Sequence, residues 1–295
     1  MTGGLSMRVG AVATIGVLVT GCAGGSSAVN SGTPTSASST TTTATGARRA
    51  YPPGRNVVSF DVNGVRRSAI VVVPVDSSHP APLVFVFHGH GGRGANIERR
   101  FDIEGLWPDA IVVYPDGLAG HPGVTDRKGV EPGWQTRLGE QGDRDVAFYD
   151  AMLSALSAKL PVDRDRVFLL GHSNGSAFLS LLLNQRGDGI AATANLSSQP
   201  SGRLLDGDPV RSMFMAMGRR DPIVPYANQA KSIPLAQRKL GIDPSTETVN
   251  GYLRTERGQG NVELATYVYP GGHDPPPEVP GLVVAFFRRH TRSTG

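Results

Sequence analysis

Arg166-Val167-Phe168-Leu169-Leu170-Gly171-His172-Ser173-Asn174-Gly175-Ser176-Ala177-Phe178-Leu179-Ser180-Leu181-Leu182-Leu183: along this stretch the pattern of the chain changes twice. The first five residues are an apolar, β-rich run, and the last eight carry a helical pattern. Between them stands G-x-S-x-G, Gly171 to Gly175. A serine flanked in this way, with a strand before it and a helix after it, is the context of a nucleophile elbow. The glycines let the chain turn sharply, and the turn lifts the Ser173 hydroxyl clear of the sheet. The following helix points its positive end toward charge developing above it.

A serine in an elbow needs an imidazole and an acid, in the chain order Ser, acid, His. Two histidines follow Ser173. His290 lies in a terminal amphipathic stretch, Leu282 to Arg289, and reads as a solvated cation at a helix end. His273 follows the strand-like run Tyr267-Val268-Tyr269-Pro270 and the turn Gly271-Gly272, which presents an imidazole at a sheet edge. The acids between Ser173 and His273 are Asp188, Asp206, Asp208, Asp221, Asp243, Glu247, Glu256 and Glu263. Asp221 stands out, because the run Met213 to Gly218 precedes it and Pro222-Ile223-Val224-Pro225-Tyr226 opens a helix after it. A carboxylate just past a strand end is placed to orient His273 and stabilise its imidazolium.

Earlier in the chain, Pro82-Leu83-Val84-Phe85-Val86-Phe87 is a buried-strand run ending in His88-Gly89-His90-Gly91-Gly92. Glycines there let backbone N–H groups approach an oxyanion. The donors expected are the His90 amide, with Gly91 the second choice, and the Asn174 amide just after the serine. His88 and His90 lack the carboxylate or cysteine company of a zinc site, so no metal is expected.

These motifs together resemble the bacterial secreted esterases grouped with polyhydroxybutyrate depolymerases and feruloyl or acetylxylan esterases, lipoproteins among them. The resemblance rests on Leu83 to Gly92, on Asp145 to Asp150 through Pro161 to Val167, and on the elbow. Gly218 to Tyr226 and Gly271-Gly272-His273 complete it. It covers roughly residues 55–290. It implies an α/β-hydrolase fold, a Ser173–Asp221–His273 triad, an acyl-enzyme at Ser173 and no cofactor. Relatives often carry a tryptophan shortly after the histidine, where this chain has Asp274-Pro275-Pro276-Pro277. That departure favours small or soluble esters over insoluble polymer. The same triad would also serve an envelope acyltransferase or a peptidase, and the domain could be a non-catalytic tethered binding protein.

The N-terminus reads differently. Arg8 precedes an apolar run, Val9 to Val19, too short to span a bilayer. It leads into Leu18-Val19-Thr20-Gly21-Cys22, which resembles a lipoprotein processing site with Cys22 as the lipidated residue; either Met1 or Met7 serves as a start. Cys22 is the only cysteine, so no internal disulfide is available. Residues 23–50, with the run Ser38 to Thr43, offer little to bury and are expected to be a disordered tether reaching roughly 30 Å. The expected location is therefore outside the cell membrane, held to it by a lipid anchor alone.

Residues 51–295 suit one α/β domain. Asn56–Val62 and Arg66–Val73 read as a hairpin joined at Asn63-Gly64. Strands then alternate with helices, giving an α/β fold with a mostly parallel sheet flanked by helices. Gly89, Ser173, Asp221 and His273 all fall at the carboxyl ends of strands. Loop 115–144 is the expected cleft wall, with Trp134 lining the cleft or simply packing. Asp143 and Asp145 are expected to cap and charge the following helix. The net charge of +4 comes from arginines scattered among aspartates, with no basic stripe for nucleic acid. Nothing calls for an obligate protein partner, and a small or soluble ester is the expected substrate.

Overall fold

The computed structural model describes residues 51–76, 78–199 and 209–292. The expected signal peptide (1–22), Cys22, the tether (23–50), Asp206 and Asp208 lie outside the described residues. Among the described residues no helix is long and apolar enough to cross a membrane.

The chain opens with β1 (Gly54–Val62) and β2 (Val65–Val73). They pair antiparallel around Asn63 and Gly64, both with positive φ, 52° and 79°. This is the backbone a two-residue type I′ turn demands. After them come β3 (Ala81–Phe87), α1 (Gly94–Phe101), α2 (Ile103–Leu106), β4 (Ile111–Pro115) and α3 (Arg144–Lys159). The elbow strand is β5 (Val162–His172), followed by α4 (Asn174–Arg186), β6 (Ala192–Leu196) and β7 (Ser212–Gly218). The chain continues through α5 (Tyr226–Gln229), α6 (Ser232–Leu240), β8 (Asp243–Asn250), β9 (Leu253–Arg257), β10 (Glu263–Tyr269) and α7 (Val279–Arg288).

The strands form one sheet in the order β1-β2-β4-β3-β5-β6-β7-β10-β9-β8. Neighbours from β4 to β10 run parallel, and the two outer pairs on each side run antiparallel. Strands β3, β4, β6 and β7 are buried at every position. That follows from their uninterrupted apolar runs, because helices cover both faces of a parallel sheet. One face packs Phe148, Met152, Phe178 and Leu182 from α3 and α4. The other packs Ile97, Phe101, Val283 and Phe287 from α1 and α7.

Several local expectations need correction. The helix expected to open at Tyr226 is broken into α5 and α6, because Pro234 has no N–H for the Ala230 carbonyl and its ring crowds that group. Asp143 stands at the start of α3 with φ 56° and makes no capping bond. Its carboxylate instead accepts from Gln135 Nε2 (2.7 Å) and the Gly139 amide (2.8 Å). Asp145 does occupy the first turn of α3, where negative charge suits the helix dipole. It is fully buried, however, and pairs with Arg67 Nη2 at 2.9 Å while accepting from the Gln135 amide. His290 is not a solvated cation. It is buried, its Nδ1–H donates to the Phe286 carbonyl at 2.7 Å, and burial pushes its pKa down.

Candidate active site

Ser173, Asp221, His273 and the His88–Gly92 segment each follow the carboxyl end of a parallel strand. Ser173 is the turn between β5 and α4, with φ 53° and ψ −119°. An L-residue adopts that backbone only when its surroundings force it. Here the force is visible. The Ser173 amide donates to the Leu196 carbonyl of β6 at 2.8 Å. At Gly175 a Cβ would come within 2.3 Å of the Phe87 carbonyl of β3. The second glycine of the motif therefore allows α4 to start directly against the neighbouring strand.

The loops after β7 and β10 are laced together by main chain. Arg219 N donates to Tyr269 O and Arg220 N to Gly271 O, each at 2.9 Å. This register sets Asp221 beside His273, with Nδ1 of the ring 2.8 Å from Oδ2 of the carboxylate. The other oxygen of Asp221 accepts from the Ile223 amide (2.8 Å) and the Val224 amide (2.9 Å). Gln229 Nε2 donates to Oδ2 at 2.8 Å and to the Val224 carbonyl at 2.6 Å. The Asp221 side chain is wholly buried and that of His273 is 18 % exposed. Four donors thus surround one buried carboxylate, the arrangement that a buried charge requires.

Ser173 and His273 line one cleft of about 270 Å³ together with Gly89, His90, Ile97 and Arg100. Across its mouth Arg100 Nη1 pairs with Asp274 Oδ1 at 2.6 Å. In the loop after β3, the Gly91 amide is committed to the Pro132 carbonyl at 2.7 Å and the Gly92 amide to Gly89 O at 3.0 Å. Gly91, the second choice from the sequence, is thereby ruled out as a donor to a ligand. For the amides of His90 and Asn174 no backbone acceptor occurs among the described residues.

His88 is held neutral: its Nδ1–H donates to Gly89 O (2.7 Å), and its Nε2 accepts from the Gly117 amide (2.9 Å). Burial lowers its pKa to about 4. The His90 ring reaches Asp126 Oδ2 at 3.1 Å. The Glu131 amide and then His90 keep that carboxyl down at about 2. Trp134 does not line the cleft. It is fully buried, stacks on Phe178 with centroids 5.4 Å apart, and donates from Nε1 to the His88 carbonyl at 3.0 Å.

Two residues here, Gln229 and His172, escape sequence reasoning, and a third, Asn174, shows it only part of its role. Gln229 has no local mark, since its tie to Asp221 depends on how α5 folds back. The elbow motif points to the Asn174 amide alone, yet its side chain pairs with the Trp134 backbone on both edges. Its Oδ1 accepts from Trp134 N (2.7 Å), and its Nδ2 donates to Trp134 O (3.0 Å). His172 lies inside the motif as its variable residue, a position that carries no signal of its own.

No family model matches the chain. Among curated proteins, feruloyl esterase D of Neurospora crassa is 27% identical over 261 residues, covering 79% of this chain and 83% of that one. Feruloyl esterase C of Emericella nidulans is 27% identical over 235 residues, covering 73% and 78%. Among solved structures, the acetyl xylan esterase from Aspergillus awamori superposes with a TM-score of 0.59 at 14% identity, covering 79% of this chain and 99% of that one. The ferulic acid esterase from Anaeromyces mucronatus does so at 0.58 and 15% identity, covering 81% and 90%. The mostly parallel sheet flanked by helices is the α/β-hydrolase fold.

Proposed function

We propose that the protein is a carboxylic ester hydrolase that works through a covalent acyl-enzyme on Ser173. Ester hydrolysis is the chemistry named for the relatives and the structural neighbours alike. The observation that carries the serine mechanism is the 2.8 Å pair between His273 Nδ1 and buried Asp221, which share a loop system beside the strained Ser173. With Asp221 accepting the Nδ1–H, His273 presents a bare Nε2 as base.

His273 takes the Ser173 proton as the hydroxyl oxygen attacks the ester carbonyl. The oxyanion rests on the amides of His90 and Asn174, at the N-terminal end of α4. Collapse expels the alcohol, which leaves with the proton from His273. Water then attacks the acyl-enzyme with His273 again as base, releasing the acid and restoring Ser173. Asp221 remains ionised throughout.

The substrate proposed is a small or soluble ester. The relatives' names put feruloyl esters first, ahead of hydroxybutyrate oligomers. Export with a lipid anchor at Cys22 and a tether over 23–50 is part of the same proposal and rests on the sequence pattern around Gly21-Cys22. A panel of p-nitrophenyl acetate, butyrate and octanoate with methyl ferulate and a soluble hydroxybutyrate oligomer tests the activity. Wild type is expected to turn over at least one of these and Ser173→Ala none, while both melt alike. A Ser173→Ala protein with wild-type turnover would end this reading. For the anchor, wild type is expected to partition into detergent and Cys22→Ala into water.

A further inference from the structure

His172, the variable residue of the elbow motif, is buried beside the reacting groups and borders the same cleft. Its ring centroid lies 5.0 Å from that of His273 and 6.5 Å from that of Phe101. On its far side the loop after β3 passes close enough that a Cβ on Gly89 would come within 3.0 Å of His172 Nδ1. The ring is therefore clamped between the loop expected to hold the oxyanion and the loop that carries the imidazole. Its Nε2 lies 3.2 Å from the main-chain carbonyl of His273. A carbonyl only accepts, so the proton of this ring sits on Nε2.

We propose that His172 is a positioning residue: as a neutral ring it donates from Nε2 to the His273 carbonyl and fixes the main chain of the catalytic histidine. This rests on the reading of His273 as the general base. Asp221 orients the ring of His273 from its Nδ1 side, and His172 fixes the peptide from which that ring hangs. The Arg220 amide holds the Gly271 carbonyl and the Tyr269 hydroxyl the Gly272 carbonyl, and the His172 bond extends that fastening to the peptide of His273 itself.

The charged and titratable groups facing His172 are His273, Asp274 and Arg100. Asp274 Oδ1 lies 3.8 Å from Nε2 and is already bonded to Arg100 at 2.6 Å. Burial first, then the neighbouring His273, hold the pKa of His172 down to about 4. Neutrality matters in this position. When His273 takes the proton from Ser173, a second cation in contact with it would oppose the transfer. A lysine or arginine at 172 would supply a donor and also that opposing charge, whereas a neutral imidazole supplies the donor alone.

The test compares His172→Phe, which keeps a planar ring and loses the donor, with His172→Gln, which keeps a neutral donor. Ser173 labelling by a fluorophosphonate is followed in parallel with ester turnover. The phenylalanine variant is expected to lose about 10- to 100-fold in kcat, the scale of a misplaced catalytic group, with KM within about twofold and labelling slowed to match. The glutamine variant is expected to recover most of this loss. A phenylalanine variant with wild-type kcat and labelling would overturn the proposal while leaving Ser173 and His273 in place. A wild type that resists labelling at Ser173 would overturn both readings together. Should the phenylalanine variant fail to fold, ¹⁵N NMR of the wild type at pH 7 decides. A neutral His172 protonated at Nε2 is expected, and an Nδ1–H ring or an imidazolium overturns the assignment.

Discussion

The surroundings of Asp221 and of Asp145 make an instructive pair. Both side chains are fully buried, and both accept backbone amides, from Ile223 and Val224 in one case and from Gln135 in the other. Their remaining partners differ. Asp145 faces Arg67, whose guanidinium is itself buried, lies 4.2 Å over the Phe148 ring and donates to the Asp116 carbonyl. That ion pair locks α3 against β2. Asp221 faces an imidazole on a loop at the cleft, a side chain suited to general acid–base work. Burial of a carboxylate therefore does not by itself mark chemistry. The partner it holds, and whether that partner reaches open space, is what separates a fastening from a working group.

Exchanging each aspartate for asparagine separates the two roles. At position 221 the amide would bring an N–H to His273 Nδ1 and to Gln229 Nε2, forcing the wrong imidazole tautomer. Turnover is expected to fall on the order of 10⁴-fold with little change in melting temperature. An Asp221→Asn protein within tenfold of wild type would break the comparison. Asp145→Asn is expected to do the reverse. It leaves the Arg67 charge buried without a counter-ion, a loss of about 3 to 5 kcal/mol, read as a lower urea midpoint. The fraction that remains folded should retain kcat. If Asp145→Asn lost turnover without losing stability, Asp145 would belong to the site after all.

A smaller effect concerns two buried histidines beside the cleft, His88 and His172, which act in the same sense. An unfolded histidine titrates near 6.5, whereas burial holds folded His88 down at about 4. Between those values the unfolded chain takes up a proton that the native protein refuses. The stability this ring contributes is thus complete above pH 6.5 and is lost as the pH falls toward 4, at most about 3 kcal/mol. Urea unfolding at pH 7.0, 5.5 and 4.5 is expected to show a declining midpoint. A flat profile across that range would mean that neither His88 nor His172 refuses the proton in the folded protein.

What was legible in the sequence follows the range of the interactions. The apolar runs 83–87 and 213–217 announced buried parallel strands, because such strands are covered on both faces. The elbow and the turn at Gly271-Gly272 announced themselves through glycine chemistry. Strands β8 and β9 did not. β8 is almost wholly exposed, so no face of it is apolar and no alternation betrays it. Asp145 matched a local rule for helix starts, but its partner Arg67 is far away in the sequence and no local pattern encodes that pairing. Trp134 sits in a loop rich in glycine, proline and charge, which reads as surface. It is buried because Asn174 pulls its backbone in and Phe178 gives its ring a flat seat. His290 similarly reads as an exposed helix end, yet Phe286 packs on it at 4.4 Å.

The most direct measurement is rapid-quench mass spectrometry of the protein mixed with excess p-nitrophenyl acetate, for wild type, Ser173→Ala and Asp221→Asn. The account predicts that wild type gains a single acetyl group, located on the peptide containing Ser173, within the burst of nitrophenol release. Ser173→Ala should gain none, and Asp221→Asn should acylate far more slowly. Acetyl found on another residue, or nitrophenol released as fast by Ser173→Ala as by wild type, would contradict it.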